Sequence, residues 1–101
     1  MSDQIDRQRK EALRGDDAVR VLESPAFQAA MEAMHKQVQD EWLKCPIRDV
    51  EGQRLLLQLA KVAQMFQRQL TGMVETGKLA QHELDKYRNE SPVQKLFRRV
   101  I

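Results

Sequence analysis

Apolar residues recur at helical spacing through the middle of the chain, and proline and glycine mark the breaks. Phe27, Met31, Met34, Val38 and Trp42 follow one another at steps of four, three, four and four, the repeat of an amphipathic helix. Ser24-Pro25 supplies its start: a hydroxyl at the N-cap, then a proline at the first helical position, where its missing N–H is not needed. A residue before proline is pushed out of the α region, so Cys45-Pro46 is expected to end this helix near Lys44. Asp49 is the expected N-cap of a longer helix over residues 50–76. Its stripe is Leu55, Leu59, Val62, Phe66, Leu70 and Met73, widened on one flank by Leu56, Ala63 and Val74. Thr76-Gly77 provides the αL stop common at helix ends. Two such helices joined by a short loop predict an antiparallel hairpin.

The flanks are weaker. Residues 3–22 have helical composition, but Ile5, Ala12, Leu13, Val19 and Leu22 are their apolar positions and Gly15 interrupts them. Asp16 or Asp17 is a candidate cap for a short helix over 17–23. A further helix over 79–89 would present Ala80, Leu84 and Tyr87. Ser91-Pro92 repeats the earlier start signal, and Val93, Leu96, Phe97, Val100 and Ile101 then fall on one side, with Lys95, Arg98 and Arg99 largely off it. The expected organisation is an N-terminal helical or partly disordered arm (1–16), a helical core domain (17–90) and a basic amphipathic C-terminal helix (91–101).

A two-helix hairpin buries one seam, and a chain of 101 residues has a poor ratio of buried to exposed surface. The all-α fold is therefore expected to be completed by shorter flanking helices or by a second copy. Leu57 lies on the otherwise polar back of the long helix, in line with Lys61, Gln64 and Arg68. Gln53, Gln58, Gln64, Gln67 and Gln69 border the apolar stripe, and uncharged polar borders suit a contact that loses water without stranding an ion. A homo-oligomer is expected, with Leu57, Leu59, Phe66 and Leu70 as core or oligomer contacts.

Composition narrows the class. Three prolines and four glycines are too few for a sandwich or barrel, and the longest aliphatic run, Leu55-Leu56-Leu57, cannot span a bilayer. The first residues have neither a basic n-region nor an apolar h-region, so no signal peptide is expected. A lone Cys45 cannot form an internal disulfide, which favours a reducing, cytoplasmic setting. The formal net charge is +2, and residues 78–101 hold six basic against three acidic groups. That excess makes Lys95, Phe97, Arg98 and Arg99 the candidate contacts to a partner, through phosphates or an acidic protein patch. The same helix would bind a membrane surface only weakly.

Catalytic chemistry is sparse. Glu32-x-x-His35 has the spacing used in di-iron bundles, but His82 has Leu79 where a second glutamate is needed. His82-Glu83 opens like a zinc-protease motif, and Lys86 stands where its second histidine belongs. Cys45 lies at a helix C-terminal end, the wrong end for an activated thiolate. Phosphate-loop, dinucleotide and nucleophile-elbow fingerprints are missing. Leu59-Ala60-Lys61-Val62-Ala63 begins like a helix-turn-helix, but Gln64-Met65-Phe66-Gln67 continues the stripe with no turn. No catalytic residue, cofactor or metal site is expected.

Ala18-Val19-Arg20-Val21-Leu22-Glu23-Ser24-Pro25-Ala26-Phe27, then Trp42, Cys45-Pro46, Asp49 and Arg54, then the leucine-rich helix closing at Gly77-Lys78-Leu79-Ala80, resemble small helical proteins of tailed bacteriophages and prophages. The resemblance covers roughly residues 18–80. It implies a non-enzymatic phage protein made alongside head, packaging or tail components, in the host cytoplasm or the virion. The reading that follows is an assembly protein that self-associates and docks a partner such as a capsid, portal or packaging component. The alternative is a nucleic-acid-binding accessory factor using the basic C-terminal segment.

Overall fold

The computed structural model describes residues 2–89, and these form three helices: α1 (Ser2–Glu23), α2 (Pro25–Lys44) and α3 (Val50–Asn89). Among the described residues there is no strand. The chain divides into two packed units. One joins residues 2–18 of α1 to residues 72–89 of α3, and the other comprises residues 19–71.

In the second unit, α2 starts and stops where its sequence signals lie. Ser24 has extended backbone (φ −63°, ψ 124°) and its hydroxyl accepts the Phe27 N–H at 3.4 Å, with Pro25 in the first turn. The chain leaves the helix at Cys45, whose N–H is donated to the carbonyls of Glu41 and Trp42. Asp49 caps α3: its Oδ1 accepts the Gly52 N–H at 3.0 Å, while its carbonyl takes the Gln53 N–H. The Gln53 amide reaches back to donate to the carbonyls of Pro46 and Ile47, at 3.1 and 3.0 Å. That short, tied turn lays α2 and the first half of α3 side by side as an antiparallel pair. Phe27 meets Phe66 at one end, and Glu41 and Cys45 lie near Leu55 and Leu56 at the other.

Two expectations fail, both at glycine. Gly15 does not interrupt α1, and neither Asp16 nor Asp17 caps a separate helix. Thr76-Gly77 does not end the long helix, which runs on through the segment expected as a separate helix over 79–89. No glycine among the described residues has positive φ, so Gly77 is an ordinary helical residue. The reason is packing. A Cβ built on Gly15 would stand 2.8 Å from the Gly77 Cα and 3.0 Å from the Met73 carbonyl oxygen; one on Gly77 would stand 2.8 Å from the Gly15 Cα. The two backbones touch, and only hydrogen fits between them.

Small residues extend this crossing. Ala12, Ala18 and Ala80 are buried beside the two glycines, so the unit closes by backbone approach instead of by interlocking large side chains. A glycine inside a helix costs roughly 0.5–1 kcal/mol relative to alanine. Dense van der Waals contact across the crossing offsets that cost.

Gly72 has nothing within 4 Å of its would-be Cβ, which makes it the internal control. Gly72→Ala should raise the unfolding free energy by roughly 0.5–1 kcal/mol. Gly15→Ala and Gly77→Ala should each lower it by about 1–3 kcal/mol as the helices are forced apart. Thermal unfolding followed by circular dichroism reads both signs.

Candidate interaction surface

Within residues 19–71, only Met31 and Ala63 are buried. The α2–α3 seam is thin, and a groove opens on each side of it. Met34, Val38 and Ala63 line both grooves.

The first groove is apolar, with a volume of about 510 Å³. Met31, Met34 and Val38 of α2 form one wall; Leu56, Leu59, Val62 and Phe66 of α3 form the other, and Glu41 is the one charged residue among its lining. The Phe27 and Phe66 rings, 6.1 Å apart and tilted by 41°, stand at one end of the seam. The α3 wall stays largely in water: Leu59 is 57% exposed, Val62 56% and Phe66 53%, and Leu55 on the same stripe is 58% exposed.

The second groove, about 390 Å³, is mixed in character. Leu57, Lys61, Gln64 and Gln67 of α3 face His35 of α2 across it. The four residues expected to act together therefore separate. Leu59 and Phe66 share the apolar groove, Leu57 (49% exposed) belongs to the opposite one, and Leu70 is half-buried and lines neither. Lys95, Phe97, Arg98 and Arg99 lie outside the described residues.

The periodicity that announces α3 is also not the face that α2 covers. Leu56 and Ala63, on the flank of the stripe, turn toward α2 and are half-buried and buried, whereas Leu55, Leu59, Val62 and Phe66 stay open. A stripe wider than one neighbour can cover leaves its remainder in solvent. Met31, Met34 and Val38 supply the α2 wall, and the four-and-three spacing had already placed them on one face.

Glu32 and His35 share a shallow depression with Leu22, Phe27 and Gln67. Among the described residues no three His, Cys, Asp or Glu side chains gather as metal ligands. No described helix is long and apolar enough to cross a membrane. Cys45 packs against its capping turn, with Sγ 3.8 Å from both the Asp49 carbonyl oxygen and Oδ2. Desolvation first, then the Asp49 charge and its hydrogen bond, push the thiol above its ordinary range. The thiolate is thereby disfavoured at neutral pH.

Comparison of the chain with family models, with curated proteins and with solved structures yields no match.

Asparagine caps a helix as well as aspartate does, so Asp49→Asn should keep the fold while removing the charge beside Cys45. Its alkylation rate by iodoacetamide, followed from pH 7 to 10, should rise at lower pH than in the parent protein. An unchanged profile would mean that the carboxylate does not hold the thiol protonated.

Proposed function

We propose that this chain is a non-enzymatic helical assembly protein that self-associates through the α2–α3 hairpin and docks a partner protein with its basic C-terminal segment. The observation that carries the reading is the open apolar stripe of Leu55, Leu59, Val62 and Phe66 on a hairpin that buries only Met31 and Ala63. Scattered single leucines on a surface are ordinary, but a contiguous apolar face beside an apolar groove marks an interaction site. The tail residues Lys95, Phe97, Arg98 and Arg99 combine an apolar anchor with cations that suit an acidic protein surface. Assembly of a phage particle, in the host cytoplasm or within the virion, is the setting that the sequence resemblance favours.

A nucleic-acid-binding accessory factor is the second reading, and it rests on the same cations of the tail. The two readings differ in their response to salt. Association through apolar surface persists or strengthens as salt rises, whereas phosphate contacts weaken steeply.

Light scattering across 50 mM to 1 M salt, with and without duplex DNA, should give an oligomer whose mass is indifferent to both. Replacing Arg98 and Arg99 with Glu should leave that mass unchanged. A monomer that binds DNA only at low salt, and loses this binding on charge reversal, transfers the function to the second reading.

A further inference from the structure

We propose that the apolar groove on the Leu59 side of the seam is closed by the same groove of a second copy, in a two-fold contact that completes a four-helix core and leaves the Leu57 side outside. The inference rests on the self-association reading and assigns it a face and a symmetry.

Charge is the first argument. Residues 52–74 contain no acidic side chain, and their cations Arg54, Lys61 and Arg68 are off the Leu55–Leu59–Val62–Phe66 stripe, on the flank that carries Leu57. The face offers no cation to a phosphate backbone, and its one charged lining residue, Glu41, lies at the end nearest the α2–α3 turn. The rest of it fits another neutral apolar face.

Its borders favour the same face over an unrelated one. Near a two-fold axis a residue meets its own copy or a close neighbour of it. A lysine or glutamate placed there would be repelled by its twin, but an amide is donor and acceptor at once and pairs with itself. Gln37 edges the groove on α2, and Gln58 and Gln69 flank the stripe on α3; Glu41, one turn on from Gln37, lines the end of the groove nearest the α2–α3 turn, away from an axis at its centre.

Area agrees. Half-exposed Leu55, Leu59, Val62 and Phe66, together with Met34, leave on the order of 400–500 Å² of apolar surface per copy. With the glutamine borders, two such faces reach the roughly 1,000–1,600 Å² of a specific interface. A hairpin this poorly closed needs its cover from the moment it folds, and a second copy is the partner made alongside every copy.

The test uses the full chain and begins with its mass by light scattering over a range of concentrations. Leu59→Glu should raise the dissociation constant roughly a hundredfold, as for a central anchor, while Leu57→Glu leaves it unchanged. Because Leu59→Glu could unfold the hairpin, a second measurement keeps the inference exposed. In a Cys45→Ser background, Val62→Cys should oxidise rapidly to a disulfide-linked dimer and Leu57→Cys should not. Cross-linking at Leu57 alone, or at neither position in a protein that is an oligomer by mass, overturns the assigned face and leaves self-association standing. A parent protein that stays monomeric at every concentration removes both.

Discussion

Two helices laid side by side bury one stripe apiece, and in residues 19–71 that geometric limit governs what else the unit can do. α3 carries an apolar arc broader than α2 can cover, so Leu56 and Ala63 take the seam while Leu55, Leu59, Val62 and Phe66 are left over. Met34, Val38 and Ala63 face grooves on both sides, which means the seam is about one side chain thick. Burial of apolar area is the main favourable term in folding. A unit that leaves its strongest stripe in water has not used the stabilisation its sequence provides.

Residues 2–18 and 72–89 meet the same limit in another way. There the facing positions are Ala12, Gly15 and Ala18 against Gly77 and Ala80, and the helices come close enough for backbone to touch backbone. Removing side chains from the crossing buries its facing positions without a wide apolar arc. Leu13 and Leu79 stay exposed in this unit too, but they stand singly and form no groove. This unit has a cleft of its own, lined by Ile5, Arg9, Gln81, Leu84, Tyr87 and Arg88. Two arginines and an amide make that cleft polar, whereas the groove beside Leu59 is apolar.

Local signals in the sequence were sufficient for the helix ends that polar side chains cap. Ser24-Pro25, Cys45-Pro46 and Asp49 act within three or four residues of themselves, so their chemistry is readable without knowing what packs nearby. Gly15 and Gly77 mislead for the opposite reason. As local signals they mean a break and a stop, and only the partner helix, distant in sequence, turns each into a contact position. The stripe of α3 was legible as a helix face. Which part of it is buried depends on the side from which α2 approaches, and periodicity carries no information about that. The apolar groove is half legible: Leu59 and Phe66 are among the expected contacts, whereas Met31, Met34 and Val38 stand out only as the stripe that makes α2 amphipathic.

Leu57 and Leu59 illustrate how little sequence separates the two surfaces. Positions two apart on a helix lie roughly 160° apart around its axis, enough to place them in opposite grooves. The Leu59 side is bounded by methionines, branched apolar residues and amides; the Leu57 side is bounded by His35, Lys61 and Gln64. A contact that consumes the first groove leaves the second in solvent, with its titratable and cationic groups still hydrated. Self-association by the apolar face therefore removes no charged side chain from water except Glu41. Desolvation of ions, which costs several kcal/mol per buried charge, would fall on Glu41 alone in such a contact.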